Sequence, residues 1–420
     1  MATFNTIVVD LTPVLPGGEN GGAKIFVLEL VARLAARLPQ TRFVLLTQIS
    51  SHGELAYLDR TNIRRELVSE ISHPRLMVLG AQLLACMPRF VRAILRWLGG
   101  SINRTLKRSD RVSLLRKLGA DLLFCPFTTP TYYEPGIPTV CTIYDLQFRT
   151  YPEFFTPEDV AQRRRSFDEA CLRANALATI SDYSRQAALV LGQLDEERIR
   201  TIPLRLAGRG AASSRVDAVS RLGLTRGRYL LYPANFWRHK NHEVLLAAFD
   251  IAMRSGLASD VKLVCTGAPG PRQAQVAAAV ESMGMGERVL LPGYLADDML
   301  AAVLADAGGL VFPSLYEGFG LPVLEAMVAG VPVACSNVSS LPEIAAGAAL
   351  MFDPRVPAQI ADAILQLFGD AALRDRLISV GREHARPYLD ADRMTGEYIA
   401  LFEFAVGPAT TQRWIFAAGC

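Results

Sequence analysis

The sequence predicts an α/β protein made of two doubly wound, parallel-sheet domains that face a cleft. Short apolar and β-branched runs alternate with amphipathic helical patterns along most of the chain, which is typical of parallel sheets covered by helices. A stretch rich in Gly, Ser, Ala and Arg interrupts this alternation once, as an interdomain linker would. The 420 residues also exceed what one core usually holds, about 100–200 residues. The predicted division is a first domain at 1–207, a linker at 208–226, a second domain at 227–390, and a C-terminal helix and tail at 391–420.

The first domain is predicted from apolar runs that alternate with helical spacing. Strands are expected at 7–10, 43–47, 121–125, 140–144 and 178–181. Helices are expected at 24–38, 157–174 and 184–191. The first of these helices ends before Pro39, because proline cannot continue a helix.

The second domain repeats the same alternation. Strands are expected at 229–233, 261–266, 288–291, 310–312, 333–335 and 350–352. Helices are expected at 242–254, 272–283, 296–305, 322–329, 357–368 and 372–385, and a terminal helix at 396–406 is expected to pack back across the domains. Right-handed crossovers place all carboxyl ends of the strands at one edge. Ligands are expected outside that edge.

Composition argues against several functional classes. The 44 basic and 41 acidic residues leave a net charge of +3, which does not favour a nucleic-acid partner. Seven scattered cysteines without a C-x-x-C pair argue against a disulfide framework or structural zinc. The N-terminus reads as a strand, not a signal peptide, and no apolar run is long enough to predict a membrane span. We expect a cytoplasmic protein.

The most informative stretch runs from 313 to 333, where a strand leads into a helix. Gly318 and Gly320 let the backbone approach a ligand, and Pro322 suits the first helical turn. The free amides at such a helix start bind anions. A diphosphate would be the natural occupant.

Charged residues surround this predicted anion site. Glu317 precedes the helix and Glu325 lies one turn into it; carboxylates accept hydrogen bonds from sugar and ribose hydroxyls. Lys240 and Arg238 follow the first strand of the second domain, where phosphate-binding cations are expected. The alternative interpretation of Glu317 and Glu325 is a helix-capping acid and a solvated helix glutamate. The alternative for Lys240 and Arg238 is a loop at a helix start that is basic without binding a ligand.

These motifs resemble the retaining glycosyltransferases of group 1, also called family 4. The pair Glu317 and Glu325 resembles the paired-glutamate signature of that family, and Lys240 its donor-phosphate lysine. Residues 337–343 resemble the loop that follows, and 292–294 the turn beside the nucleotide base. The resemblance is strong over 225–390 and weaker over 1–205. It implies the GT-B fold, with two Rossmann-like domains, an acceptor-side first domain and a nucleotide-sugar-binding second domain.

The resemblance also implies a role for each matching residue. Glu325 would hold the ribose hydroxyls, Glu317 the donor sugar, and Lys240 with Arg238 the diphosphate. The remaining donor contacts would come from the backbone of Phe319, Gly320 and Leu321, from Gly293 and Tyr294 beside the base, and from Gly21, Gly22 and Asp145 in the first domain. The glycine loop at 17–22 has a flexible turn as its alternative interpretation.

The sequence departs from the family pattern at three positions. Tyr144, before Asp145, stands where many relatives carry histidine, and it lacks the proton chemistry of histidine near neutral pH. Ala234 and His239 stand where relatives often carry arginine. The first departure affects the donor contact expected from the first domain. The other two affect which residue supplies the second positive charge for the phosphate.

The predicted function is transfer of a hexose with retention, without a metal ion, from a nucleotide-diphosphate sugar to a glycan or lipid-linked acceptor. GDP-mannose is the first donor hypothesis and a UDP-sugar the second, and surface polysaccharide biosynthesis is the expected setting. The alternatives are a nucleotide-sugar epimerase of the same fold and a non-catalytic sugar-nucleotide-binding partner. A nicotinamide enzyme ranks low, because the second strand ends without an acid. Asp390 and Asp392 are expected to form a helix cap or solvated turn, not a metal site.

Residues 76–117 form an apolar and strongly basic segment. Between 89 and 117 there are nine basic residues and one acidic residue. A basic amphipathic helix is typical of peripheral contact with a membrane surface, here the inner face of the cell membrane. An Arg-rich insert packed on the core is the alternative interpretation.

Overall fold

The protein forms two parallel sheets, each covered by helices. The structure, a computed structural model, describes residues 4–16, 21–68, 114–206, 218–268 and 270–407. The predicted doubly wound α/β class is confirmed in these residues.

The first sheet contains seven strands in the described residues, in the order β3-β2-β1-β4-β5-β6-β7. Their bounds are β1 Thr6–Asp10, β2 Arg42–Thr47, β3 Ile63–Leu67, β4 Leu122–Cys125, β5 Thr139–Ile143, β6 Ala176–Thr179 and β7 Ile199–Thr201. All pairings within the sheet are parallel, and the strand order reverses between β1 and β4. The central strands are buried along their whole length, so both sheet faces are covered.

The second sheet contains six strands in the described residues, in the order β10-β9-β8-β11-β12-β13. Their bounds are β8 Tyr229–Pro233, β9 Lys262–Thr266, β10 Val289–Gly293, β11 Gly309–Phe312, β12 Val333–Ser336 and β13 Leu350–Phe352. Its order reverses between β8 and β11. Ligands of doubly wound sheets bind at such a reversal.

Helices connect the strands of both sheets. In the first domain they are α1 Gly21–Arg37, α2 Ile49–His52, α3 Leu114–Leu118, α4 Gln147–Thr150, α5 Pro157–Arg173 and α6 Asp182–Gly192. The rest are α7 Ala218–Arg221, α8 His242–Arg254, α9 Pro271–Ser282, α10 Asp297–Ala305, α11 Leu321–Ala329, α12 Leu341–Ala345, α13 Pro357–Gly369, α14 Ala371–Ala385 and α15 Ala391–Val406. Within the described residues, none of them has the length and apolar character needed to cross a bilayer.

The last helix, α15, lies against the sheet of the first domain. The ring of Phe402 packs at 6.5 Å from Phe4 and 5.1 Å from Phe124, measured between ring centroids. The hydroxyl of Tyr398 is 3.2 Å from that of Thr142 on β5. Asp390 caps the helix by accepting a hydrogen bond from the amide of Arg393, which is the capping role predicted from sequence.

The structure corrects several predicted boundaries. Strands β3 and β7 were not predicted, because both are partly exposed edge strands without a continuous apolar run. The range 208–226, predicted to lack periodicity, contains the short helix α7. Gly21 and Gly22 form the first turn of α1, so they do not belong to the predicted loop. Most of the basic segment at 76–117 lies outside the described residues.

Candidate active site

A cavity of about 420 Å³ opens at the carboxyl ends of the second sheet and is lined by both domains. The loops that follow β8 and β11 flank the strand-order reversal, and they supply Lys240 and Glu317. Gly22, Tyr144 and Asp145 line the cavity from the first domain. A cavity of this size is in the range that binds small molecules and cofactors.

The loop after β8 is held so that Lys240 points into the cavity. Asn241 adopts a left-handed backbone conformation, with φ of 62°. Its side-chain amide donates to the carbonyls of Pro313 and Pro354, at 3.1 and 2.8 Å. The Tyr232 hydroxyl donates to the carbonyl of Lys240 at 2.6 Å. These bonds tie the lysine backbone to the neighbouring strand end.

Lys240 and Glu317 form a nearly buried ion pair. The Lys240 Nζ lies 2.5 Å from Glu317 Oε1, and the two side chains are 14% and 13% exposed. The ammonium also lies 5.5 Å from the centre of the Phe312 ring. The sequence motif did not reveal that the two predicted residues pair with each other.

Burial and the charges of this pair shift the pKa values of Glu317 and of its neighbours. Burial acts to raise the pKa of Glu317, but the charge of Lys240 and hydrogen bonds from Lys240 and Ser314 outweigh it, so the pKa lies below its usual value. Burial raises the pKa of Asp145, and the nearby charge of Glu317 adds to the rise. Burial and the charge of Lys240 lower the pKa of His239 to about 4, so this imidazole is neutral at pH 7.

The glycine-rich turn before α11 meets the first domain closely. A Cβ on Gly318 would lie 2.5 Å from the carbonyl oxygen of Tyr144, so only glycine fits at this position. Gly320 has φ of 113°, a left-handed conformation that favours glycine. The Ser340 hydroxyl contacts the carbonyls of Glu317 and Phe319, at 3.0 and 2.8 Å, which fixes the turn.

Helix α11 begins at Leu321 and carries Pro322 in its first turn. The first amides of an α-helix have no partner within the helix and carry its positive dipole end. Phe319, Gly320, Leu321 and Pro322 all line the cavity, as does Glu325 one turn further on. The arrangement can hold an anionic group between the helix start and Lys240.

The two domains touch through polar contacts beside the cavity. The Glu343 carboxylate accepts hydrogen bonds from the amides of Asp182 and Tyr183, at 2.9 and 2.8 Å, at the start of α6. The Tyr316 hydroxyl accepts from the amide of Leu146 at 3.3 Å. These contacts fix the position of one cavity wall relative to the other.

Two predicted site residues lie outside the lining of this cavity. The guanidinium of Arg238, the predicted second phosphate cation, donates to the carbonyl of Glu153 in the first domain, at 3.2 Å. The carbonyl of Gly293, at the end of β10, accepts a hydrogen bond from the Thr266 hydroxyl at the end of β9, at 2.6 Å. Tyr294, the residue after it, does line the cavity. Gly21 is the first residue of α1 and directly precedes Gly22.

Sequence reasoning missed five polar, aromatic or glycine residues of the lining. They are Asn235, Trp237, Thr266, Gly267 and Asp297. The signal that points to them is position, because Thr266 ends a predicted strand of the second domain and the others follow the carboxyl ends of such strands. The Tyr144 hydroxyl is also buried on the first-domain side, and it has no hydrogen-bond partner among the residues that the structure describes.

Comparison with known proteins identifies glycosyl transferases as relatives of this chain. A family model described as glycosyl transferases group 1 matches residues 220–384. O-antigen chain mannosyltransferase B of Escherichia coli is 31% identical over 264 residues, which cover 62% of this chain and 69% of that protein. The serotype-specific mannosyltransferase WbdA of Escherichia coli is 29% identical over 188 residues, which cover 43% of this chain but only 23% of that much longer protein.

Solved structures share the fold across nearly the whole chain. HepE of Anabaena, solved in complex with UDP-glucose, is similar over 95% of this chain and 99% of its own, with a TM-score of 0.68 and 14% sequence identity. At that identity the similarity establishes the fold alone. The expected two-domain GT-B architecture is confirmed.

Proposed function

The chain belongs to the group 1 glycosyl transferases, and from this we propose that it transfers mannose from GDP-mannose to a glycan or lipid-linked acceptor, with retention of configuration, in surface polysaccharide biosynthesis. The observation that carries the proposal is the buried pair of Lys240 and Glu317, set against the start of α11. The relatives named above as O-antigen and serotype-specific mannosyltransferases support the choice of mannose.

The leaving diphosphate explains why the site needs fixed positive charge. When the bond between the anomeric carbon and the phosphate oxygen breaks, negative charge grows on the departing nucleotide. Lys240 and the helix start of α11 are positive features held in place before the reaction begins, and such preorganised electrostatic stabilisation is usually the largest contribution to catalysis. The Lys240 ammonium would then exchange part of its contact with Glu317 for the phosphate.

The sugar and ribose would be held by the two glutamates. Once Lys240 contacts phosphate, the Glu317 carboxylate is free to accept hydrogen bonds from sugar hydroxyls near the reacting carbon. Glu325 lies one helical turn away and would hold the ribose hydroxyls. In this proposal the acceptor hydroxyl attacks from the face of the leaving group and passes its proton to the departing phosphate. The anomeric configuration is then kept.

Product analysis with the full chain tests this function. We expect labelled GDP-mannose to yield an α-linked mannoside on a short mannoside acceptor with a hydrophobic tail, identified by its anomeric proton resonance. A β-linked product would contradict retention, and transfer of glucose or another hexose but not mannose would contradict the donor. Conversion of the donor sugar without an acceptor would favour the epimerase alternative, which the transferase relatives do not support.

We also propose that the basic segment at 76–117 brings the enzyme to an anionic membrane surface where a lipid-linked acceptor would lie. The support is the composition of 89–117, which contains nine basic residues and one acidic residue. Anionic lipids contribute about 1 kcal/mol of binding free energy per nearby basic residue. Co-sedimentation with anionic and neutral vesicles tests it: binding only to anionic vesicles at low salt is expected, and no binding at low salt would contradict it.

A further inference from the structure

We propose that the indole of Trp237 is a stacking surface for the acceptor glycan, against which the C–H face of one pyranose ring lies. This inference rests on the proposed function, because it assumes that the enzyme transfers mannose to a sugar. It assigns an acceptor contact to the second domain, whereas the family resemblance assigns the acceptor side to the first.

Trp237 lines the cavity and is nevertheless open to solvent, with 53% of the residue exposed. Among the described residues of the lining, Tyr294 is the other large aromatic side chain that is exposed, at 66%. The resemblance places Tyr294 in the turn beside the nucleotide base. Trp237 is therefore the exposed ring of the cavity for which no donor contact is expected.

The position of Trp237 suits an acceptor. It lies in the loop after β8 that also carries Lys240, the residue assigned to the diphosphate. The next residue, Arg238, donates to the carbonyl of Glu153 at 3.2 Å, so this loop meets the first domain. A sugar on the indole would lie between the two domains and close to the leaving group, whose face the acceptor hydroxyl attacks in the proposed reaction.

Hydrogen bonds fix the backbone that carries the indole. The amide of Trp237 donates to the carbonyl of Asn235 at 2.8 Å, and its own carbonyl accepts from the amide of Lys240 at 3.0 Å. The Asn235 side chain accepts from the amide of Ala268 at 2.8 Å, which ties the loop to the chain after β9. The imidazole of His239 lies 5.6 Å from the indole, measured between ring centroids. A surface held in this way loses little conformational entropy when a ligand binds.

An exposed indole matches the surface of a pyranose ring. A hexose carries C–H groups on the faces of its ring, and most of its hydroxyls point outward around the rim. Stacking removes apolar area of both partners from water while the outward hydroxyls stay hydrated, and the negative face of the aromatic ring attracts the C–H groups. Trp237 therefore recognises a sugar residue of the acceptor, not its lipid.

Steady-state kinetics of the full chain with GDP-mannose and the tailed mannoside acceptor test the inference. In Trp237→Ala the KM for the acceptor should rise about tenfold, because the stacking contact is lost. The KM for GDP-mannose should stay unchanged, and so should the slow hydrolysis of GDP-mannose by water without an acceptor, because the contacts with the diphosphate remain. Trp237→Phe keeps an aromatic face and should recover most of the acceptor affinity.

Tyr57→Ala is the matched control for the loss of an exposed ring. Tyr57 is 67% exposed and is not among the residues that line the cavity. Its removal should leave the KM values for donor and acceptor unchanged.

Fluorescence gives a direct measure of the contact. The sequence contains two further tryptophans, Trp97 and Trp414, so Trp97→Phe combined with Trp414→Phe leaves Trp237 as the only indole. Its emission should change saturably when a methyl mannotrioside, which has no hydrophobic tail, is added to the GDP-bound protein. An unchanged emission in a double variant that still transfers mannose would contradict the contact.

Three kinetic results would overturn the inference while leaving the proposed function standing. The first is a Trp237→Ala enzyme with the acceptor KM of the wild type. The second is a rise in the KM for GDP-mannose as large as that for the acceptor, which would assign the indole to the donor. The third is a Trp237→Phe enzyme as impaired as Trp237→Ala, which would contradict stacking. A wild type that transfers no mannose to the mannoside would overturn the proposed function itself, and the acceptor contact with it.

Discussion

At the scale of single residues, the pair of Lys240 and Glu317 has one role in the stability of the free protein and a different role in the proposed reaction. In the free protein each side chain neutralises the other in a nearly buried position. In the proposed reaction Lys240 must instead face the diphosphate. Removing one partner therefore changes both catalysis and stability, and a single variant cannot separate the two effects.

Lys240→Met should lower the turnover number at least a hundredfold, because a fixed positive charge aimed at the leaving group is lost. It should also lower the free energy of unfolding by about 3 kcal/mol, because the Glu317 carboxylate then stays buried without an oppositely charged partner. The double variant Lys240→Met with Glu317→Gln should regain much of that stability but no activity. Steady-state kinetics and urea unfolding measure the two effects.

Lys262→Met serves as the control for this series. The Lys262 ammonium donates to the carbonyl of Gly223, away from the cavity, so its loss should leave turnover unchanged. A Lys240→Met enzyme with near-normal turnover would contradict the role assigned to this lysine. A double variant as unstable as the single one would contradict the account of the buried charge.

A second residue-scale prediction concerns His242, which packs between Phe236 and Tyr232 at ring-centroid distances of 4.7 and 4.9 Å. Burial and nearby positive charges, first that of Lys240, lower its pKa to about 3. The unfolded chain takes up this proton near pH 6.5, whereas the folded chain does not until about pH 3. The imidazole therefore costs stability progressively as the pH falls below 6.5.

His242→Gln should reduce this acid sensitivity, because glutamine does not titrate. The measurement is the urea midpoint of wild type and variant at pH 7.5 and pH 5.0. We expect the midpoint of the wild type to fall more between the two pH values than that of the variant, whatever their absolute difference. Equal falls would show that His242 does not bind a proton more readily in the unfolded chain.

At the scale of elements, the loops at the carboxyl strand ends were more predictable than the edge strands of the first sheet. The run at 313–333 combines glycines, prolines and two glutamates between a strand and a helix, so it predicts both a local structure and an anionic ligand. The edge strand β3 reads Ile-Arg-Arg-Glu-Leu and is only partly buried. This edge strand is partly exposed, so it lacks the continuous apolar run that reveals a central parallel strand.

Contacts between elements of different domains were not visible in the sequence. Glu343 belongs to a stretch that resembles a family motif, but nothing in its spacing shows that it caps α6 of the other domain. The same holds for Gly318, whose need for glycine arises from the carbonyl of Tyr144. Local patterns report on local structure, whereas these positions are set by how the two domains meet.

Glu343→Ala should weaken the contact between the domains, because α6 loses a carboxylate at its amino end. The cost should be about 1 kcal/mol of unfolding free energy. We also expect a higher KM for the donor, since the cavity is built from both domains. Glu383→Ala removes an exposed acid from α14 and is the matched control. An unchanged KM and an unchanged unfolding midpoint in Glu343→Ala would contradict this role.

At the scale of the whole molecule, α15 makes the stability of the first domain depend on the end of the chain. The helix follows the second domain in sequence but packs on the sheet of the first. Arg33 on α1 contacts the Asp392 carboxylate at 3.3 Å, which adds a polar link on the outer side. The first sheet is therefore fully covered only when α15 is packed against it.

The final prediction follows from this arrangement. Phe402 is fully buried among rings of the first domain, so Phe402→Ala should cost about 3–5 kcal/mol. The loss should appear first in the first domain, as faster hydrogen exchange in β1 and β4 than in β8 and β11. Phe404→Ala, at a position 36% exposed on the same helix, should cost much less. If exchange instead rose first in β8 and β11, α15 would stabilise the second domain, and the first sheet would have to be regarded as stable without it.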